Sequence, residues 1–430
     1  MPASNTRPRR ASQTTWHLRR HRVAVVLMRA ILRARRPRRP ARRDPTRVTI
    51  LLVHAWGMGG TIRTMLNVAG HLAERHEVEV VSVWRTRDDP SFVFPPGITV
   101  TAAEDRRPGA GGLLARALRR VPGSLVYPGD RTSRRTTLWT DVQLMRALWR
   151  VRSGVLIGTR PALNLLVSRA GPGPALVATE HAPFKRYNAL LKREIRRRYA
   201  ALEAVVVLSE DERAAFERVT GGATPVHVIP NAAPALPGGR SPLDAPVVVA
   251  VGRLHRVKGF DRLIRAFAAV VVEHPGWRLR ICGSGSEQRA LQALIAQLGL
   301  EAHVQLAGRV GQIERELEQA SIFVLSSRAE GLPLALLEAM SKGVPVVSFA
   351  CSTGPVAVIA HGVDGLLVTN GDEAALARAI CALIADEPLR RRLGAAAIAK
   401  AGTFGLDAVG ERWEALITSV TTGEGVPPFE

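Results

Sequence analysis

Two carboxylates, Glu330 and Glu338, bracket the segment Glu330-Gly-Leu-Pro-Leu-Ala-Leu-Leu-Glu338. Carboxylates accept hydrogen bonds from paired hydroxyls, so the pair suits a sugar at one end and a second polyol such as a ribose at the other. Pro333 reads as the first residue of a helix and Gly343 as its end, leaving Glu330 in the loop before it and Glu338 almost two turns inside. The N–H groups from Gly331 through Leu332 to Leu334 then face the ligand and favour negative charge. Glu338 as an ordinary exposed helix residue fits poorly, because Leu334, Leu336, Leu337 and Met340 make this helix largely buried and a buried Glu normally has a partner. Upstream, Gly252-Arg253-Leu-His-Arg-Val-Lys258-Gly259 sets a guanidinium fork and an ammonium point charge between glycines. That pattern suits a diphosphate, although two solvated surface cations would look the same. Gly283-Ser-Gly285 says only that backbone comes close there. Gly308-Arg309-Val310 could present backbone to a nucleobase. Nearer the N-terminus stand the Gly59-Gly60 turn and Glu180-His181. A lone His is more often structural, but one at a strand end, where sites lie in open parallel sheets, favours function.

Such residues need elements that deliver them to one edge. From residue 47 the chain alternates short apolar runs with amphipathic stretches. Strands are expected at 48–53, 78–83, 155–158, 175–179 and 205–208, then at 247–251, 278–282, 304–306, 322–326, 346–349 and 365–368. Ile62, Met65, Leu66, Ala69 and Leu72 recur at helical spacing. Strand–helix alternation predicts an α/β fold: two Rossmann-like, doubly wound parallel sheets in tandem, with ligands beyond the carboxyl ends of the strands. Pro230 to Pro242, rich in Pro and Gly, reads as the linker. The expected partition is a tail at 1–47, a first domain at 48–235, a second at 236–405, and a C-terminal helix at 406–430 packing back across the hinge. Residues 104–135, rich in Gly, Pro and Arg, read as a long excursion or lid.

Composition sets the outer limits. The chain has 430 residues, 46% hydrophobic, with 60 basic and 37 acidic side chains for a net charge of +23. That excludes a wholly disordered, collagen-like or disulfide-stapled protein. Three widely spaced cysteines without a CxxC fit a reducing compartment and argue against structural zinc. Fifteen arginines against Asp44 give residues 1–47 a charge of +14, leaving +9 elsewhere. Such density predicts a mostly disordered arm. Its apolar run, Val23 to Leu32, is too short to span a bilayer, which needs about 20 residues. The arm is either a polybasic anchor for anionic lipid or an extension without a role.

Together these residues resemble the glycosyltransferase family 4 group of retaining, nucleotide-sugar-dependent enzymes with the GT-B fold, over about Val48 to residue 420. The E-x7-E motif from Glu330 to Glu338 is its most specific element. GRLHRVKG at 252–259, VIPN at 228–231, GSGSEQRAL, GVDGLLV at 362–368 and MGGTIR follow in family order. The resemblance implies two lobes facing across a cleft. Arg253 and Lys258 would bind the donor diphosphate and neutralise the leaving group. Glu338 would hold the ribose, and Glu330 the donor sugar with backbone of Gly331 to Leu334. Gly308 and Val310 would lie by the base. His181 would stand at the reacting face, and Gly59 and Gly60 would meet the phosphates. It also implies no metal and no cofactor beyond the nucleotide-sugar substrate, since cations can do the charge neutralisation. One departure stands out: many relatives carry Glu two residues after the Pro of CxTGP, and here that residue is Ala357.

The function expected is therefore hexosyl transfer from a nucleotide-sugar, with a UDP-sugar the first expectation, to a glycan, lipid-linked or polyanionic acceptor in cell-surface glycan synthesis. A GT-B sugar-nucleotide epimerase should carry more carboxylates and His at the cleft. A nucleic-acid-binding protein would explain the charge, but the excess sits in the tail and no aromatic-studded sheet or helix-turn-helix is present in the pattern, so no specific nucleic acid is expected. Lys185, Arg186, Lys192, Arg193, Arg196, Arg197 and Arg198, with Leu190, Leu191 and Ile195 interspersed, form a basic amphipathic stretch. It suits an anionic membrane surface, or is simply a solvated face. A cytoplasmic enzyme, peripheral on the inner face of the plasma membrane, is the expected setting.

Overall fold

The computed structural model describes residues 7–34, 44–233, 235–351 and 353–423. It forms two compact units, Met1–Ile229 with Gly410–Glu430, and Pro230–Val409.

The first unit is a seven-stranded sheet in the order β3-β2-β1-β4-β5-β6-β7, with every neighbouring pair parallel. Its strands are β1 (Arg47–Leu52), β2 (Glu77–Arg85), β3 (Thr99–Asp105), β4 (Val155–Gly158), β5 (Ala175–Thr179), β6 (Ala204–Val207) and β7 (Val226–Val228). The central runs are nearly all Val, Ile, Leu and Ala because helices cover both faces and leave no polar side. Those helices are α1 (Arg7–Ala34), α2 (Gly60–Leu72), α3 (Leu113–Arg119), α4 (Leu138–Arg150), α5 (Pro161–Val167), α6 (Ala189–Arg198) and α7 (Glu210–Thr220).

The second unit has six parallel strands in the order β10-β9-β8-β11-β12-β13. They are β8 (Val247–Val251), β9 (Arg278–Cys282), β10 (Val304–Gly308), β11 (Ile322–Leu325), β12 (Val346–Phe349) and β13 (Leu366–Val368). Helices α8 (Phe260–Glu273), α9 (Gln288–Gln297), α10 (Ile313–Glu318), α11 (Leu334–Ser341), α12 (Thr353–Val358), α13 (Glu373–Ala385) and α14 (Glu387–Gly402) cover it. The last helix, α15 (Leu406–Thr422), belongs with the first unit from Gly410, where Glu414 meets His76 Nε2 at 2.7 Å. The boundary falls at residue 230, the first residue of the Pro- and Gly-rich linker and ahead of the expected domain limit at 235. Asn231 Nδ2 donates to Leu332 O at 2.8 Å and Ala233 N to Phe404 O at 2.7 Å, which ties the linker to the second unit.

Two expectations are corrected. The arginine-rich arm is not wholly disordered: residues 7–34 form α1. Leu18, His21, Val25, Met28 and Leu32 recur on one face of it, and Met28 is fully buried in the core of the first unit. Burying that stripe outweighs the repulsion among arginines that point to solvent. Arginines 35–43 lie outside the described residues. The stretch 104–135 is not a free excursion either. It opens in the edge strand β3, whose buried Glu104 accepts from Arg106 at 2.8 Å, Thr140 at 2.6 Å and Arg119 at 3.0 Å.

Candidate functional site

Reversal of strand order puts β8 beside β11 in the second unit, and the loops leaving these two strands part company at that point. In open parallel sheets this is where ligands sit. The loop after β8 runs through Gly252, Arg253 and a short turn, Arg256–Lys258, into α8. The loop after β11 runs through Ser326 to Pro333 into α11. Lys258 Nζ lies 2.6 Å from Glu330 Oε1, and Ser327 Oγ donates to the same oxygen at 2.5 Å. Backbone lacing fixes the pair: Arg328 N donates to Val257 O at 2.7 Å, and Ser326 Oγ to Lys258 O at 3.1 Å. Arg328 also forks onto both oxygens of Asp261, each at 2.7 Å. Burial works against that carboxylate, yet hydrogen bonds from Arg328 and Arg265 hold it down at about 2.

Neighbouring loops are joined the same way. Gly252 N donates to Cys282 O at 2.9 Å, Leu254 N to Ser284 O at 3.0 Å, and Gly283 N to Gly308 O at 2.7 Å. A Cβ on Gly283 would stand 1.8 Å from Gly252 O, so the GSG turn is glycine because backbone passes over backbone there. On the far side, a Cβ on Gly354 would fall 1.3 Å from Gly331 O, pressing α12 against the loop that holds Glu330.

Within the first unit the comparable edge carries β5 and the residues after it. Glu180 is buried and held by three donors: Asn164 Nδ2 at 2.9 Å, Tyr187 Oη at 2.5 Å, and Tyr199 Oη. Burial pushes its carboxyl up to about 7, against the pull of those hydrogen bonds. Next to it His181 Nε2 lies 3.2 Å from Thr179 Oγ1. Because that hydroxyl donates to Gly158 O at 3.0 Å, its lone pairs remain for a proton on Nε2. Gly59 precedes α2 in extended backbone with nothing closer than 3.9 Å to its Cβ position, so the protein's own packing does not demand glycine. Gly60 is the first residue of α2, and the Arg63 guanidinium sits 5.8 Å from the centre of the Phe92 ring.

Residues 58–234 match the model described as Glycosyltransferase Family 4, and residues 237–400 the model described as Glycosyl transferases group 1. The two matches together take in most of the chain. The chain belongs to the family 4 type of glycosyltransferase. It is 36% identical to an exopolysaccharide phosphotransferase of Streptomyces coelicolor, over 89% of this chain but 41% of that one. An uncharacterized glycosyltransferase of Haemophilus influenzae is 24% identical over 86% of this chain and 99% of its own length. The chain thus spans about two fifths of the Streptomyces relative and nearly all of the Haemophilus one. Among solved structures, the pneumococcal O-GlcNAc transferase GtfA in complex with UDP and GlcNAc aligns at a TM-score of 0.69 and 15% identity, over 87% of this chain and 99% of that one. Anabaena HepE in complex with UDP-glucose aligns at 0.66 and 19%, over 88% and 100%. The fold is GT-B.

Of the residues expected to serve this family 4 chain, Lys258 and Glu330 are in direct contact. Arg253 shares the Lys258 loop, exposed, and bonds to no described residue. Gly331, Leu332 and Leu334 follow Glu330 into α11. Glu338 is buried on α11, but the helix begins at Leu334, so it sits little more than one turn in rather than almost two. Gly308 ends β10, and half-buried Val310 lies on the loop that follows it. Gly59, Gly60 and His181 belong to the other unit. Sequence reasoning did not assign Asn231, Ser327, Arg328 and Asp261, which brace the second unit's loops, nor Asn164, Tyr187 and Tyr199 around Glu180. Two of them, Ser327 and Arg328, stand beside Glu330 in the motif and were the readable signal.

A separate trio, Glu273, His274 and Cys381, brings potential ligand atoms within 4.8 Å of one another. It lies at the opposite end of α8, and burial and Glu273 push the Cys381 thiol up to about 11.

Proposed function

We propose that the second unit binds a nucleoside diphosphate sugar and that a hexosyl group passes, with retention of configuration, to an acceptor recognised by the first unit. The observation that carries this reading is the Lys258–Glu330 contact at 2.6 Å at the switch point of the sheet. One ligand lying there would present its phosphates to Lys258 and Arg253 and its sugar hydroxyls to Glu330. Glu338, farther along α11, takes the ribose hydroxyls. Negative charge grows on the departing diphosphate as the glycosidic bond breaks, and fixed cations stabilise that charge more than they stabilise the ground state. His181 stands at the sugar's reacting face, its ring held by the contact of Nε2 with Thr179 Oγ1. No side-chain carboxylate is assigned as nucleophile; a donor phosphate oxygen takes the acceptor's proton.

UDP and UDP-glucose in the structural relatives support a UDP-sugar donor. A lipopolysaccharide core glycosyltransferase of Rhizobium meliloti, 40% identical over 36% of this chain, supports a glycan acceptor. Basic α6, with Leu191 and Ile195 turned into the core and Arg193, Arg196 and Arg197 exposed, supports an anionic acceptor at a membrane surface. Incubation with UDP-glucose, UDP-N-acetylglucosamine and GDP-mannose, followed by assay of released nucleoside diphosphate, tests the reading. Release from one donor that is abolished in Lys258→Met supports it, and binding without release from any donor overturns it.

A further inference from the structure

On the first unit, away from His181, α1 closes a cavity of about 280 Å³ against the opposite edge of the sheet. Its walls include Arg29, Leu32 and Arg33 from α1, Arg169 from the turn after α5, Leu176 at the start of β5, and Glu203 ahead of β6. Arg169 is the unusual member. Its side chain is 1% exposed, and Glu194 accepts only from Nη2, at 2.5 Å. Nε and Nη1 are buried without a hydrogen-bond partner. Unmet donors on a buried guanidinium are costly, which marks a place where an acceptor belongs. Glu203, the one acid of the wall, has Oε2 taken by Leu176 N at 2.7 Å. Arg197 and Arg198 at the end of α6 are near enough to act electrostatically on Arg29. The cavity therefore offers converging positive charge beside apolar wall.

The outer face of α1 says where the anion comes from. Val23, Val26, Leu27 and Ile31 are 61%, 66%, 56% and 41% exposed, an apolar row opposite the buried one. Arg22, Arg29 and Arg33 border that row on one side, Arg19 lies at its N-terminal end, and residues 16–34 contain no acid. A helix with an exposed apolar row and an arginine border is suited to the plane of an anionic membrane. None of the described helices is long and apolar enough to cross one.

We propose that α1 lies in the surface of an anionic bilayer and that one phospholipid phosphate enters the cavity to meet Arg29, Arg33 and Arg169. Leu32 and Leu176 would line the path of the glycerol. This site is independent of sugar transfer, and its test needs no turnover.

The test is co-sedimentation of the full chain with vesicles of phosphatidylcholine alone and of phosphatidylcholine with phosphatidylglycerol in equal parts. Wild type should partition onto the mixed vesicles and not onto pure phosphatidylcholine. Arg29→Gln with Arg33→Gln should weaken partition about 30-fold, at about fivefold for each arginine near the surface. Val26→Ser, Leu27→Ser and Ile31→Ser together, all on the solvent face and so compatible with folding, should weaken it at least about tenfold. Arg289→Gln with Arg315→Gln, exposed on the second unit, removes the same charge elsewhere and should leave partition within about twofold of wild type. Equal retention of wild type and both α1 variants overturns the proposal. So does a control variant as weak as the Arg29/Arg33 one, because general charge would then suffice. Inorganic phosphate without vesicles should raise the melting temperature of wild type more than that of Arg29→Gln/Arg33→Gln; an equal rise means the cavity is not the phosphate site.

Discussion

Lys258 and Glu330 form a short ion pair at the edge of a sheet, and on the proposed reading each serves a ligand more than the fold. Both are partly exposed, where an isolated pair stabilises by no more than about 1 kcal/mol. Lys258→Met should therefore leave the melting temperature nearly unchanged while lowering kcat/KM about 10²- to 10³-fold, the usual loss of a cation aimed at developing negative charge. Urea denaturation and initial rates on the same sample check this; a large stability loss with intact turnover would make Lys258 a structural residue. Glu180 poses the opposite case, a carboxyl whose role is first structural. Its folded value, about 7, exceeds its ordinary 4.5. The folded state thus holds a proton that the unfolded state has released. The stabilisation is complete below about pH 4.5 and is lost as the pH climbs through 7, a change of up to about 3 kcal/mol. Asp141, pushed up to about 6 by burial, slopes the same way. Asp261, held near 2, acts oppositely and loses its contribution only in strong acid. Glu180→Gln should flatten the fall in stability between pH 5 and 7 without abolishing it, read by urea midpoints across that range. An unchanged slope would mean that the Tyr187 and Tyr199 bonds keep the carboxylate ionised.

Loops make the site, and glycines decide how closely they approach. Gly354→Ala forces a methyl into Gly331 O, so α12 must retreat or the Glu330 loop must move. Gly239→Ala, with no heavy atom within 4 Å of its Cβ position, is the matched control. Saturation at about 100 times Kd should raise the stability of wild type and Gly239→Ala by about 2.7 kcal/mol with the donor's nucleoside diphosphate, and that of Gly354→Ala by less than about 1 kcal/mol. Comparable stabilisation of all three would show that the approach does not matter for binding. The strands that lead to these loops were readable because a sheet covered on both faces leaves uninterrupted Val, Ile and Leu runs, as at Val247–Val251 and Val346–Phe349. Edge strand β3 was not, since Thr99 to Asp105 is only half covered and mixes polar with apolar residues. The motif residues Glu330, Glu338 and Lys258 were legible from spacing at helix starts. Asn164 and Tyr199 were not, because their value lies in meeting Glu180 from distant segments. Helix α1 was masked by its arginines: its buried stripe is regular, but net charge argued for disorder. Met28→Ala should cost about 2–4 kcal/mol if that stripe is part of the core.

Charge is divided unequally over the whole molecule. Residues 230–409 hold 18 basic and 16 acidic side chains, a net +2, so the other 250 residues carry +21. The second unit is thus nearly neutral in sum and, on the proposed reading, would meet its ligand with two or three placed cations, while the rest of the chain carries most of the positive charge. These two kinds of attraction respond differently to salt. A field spread over exposed arginines decays within about 8 Å at physiological ionic strength and less in stronger salt, whereas a cation in contact with phosphate is screened far less. If the first unit receives an anionic acceptor, raising NaCl from about 0.05 M to about 0.5 M should increase the acceptor KM more than about tenfold and the donor KM less than about threefold. Initial rates with each substrate varied in turn, at fixed pH, give both numbers. Equal salt dependence of the two constants would mean that the positive charge of the first unit serves solubility or the bilayer and takes no part in choosing the acceptor.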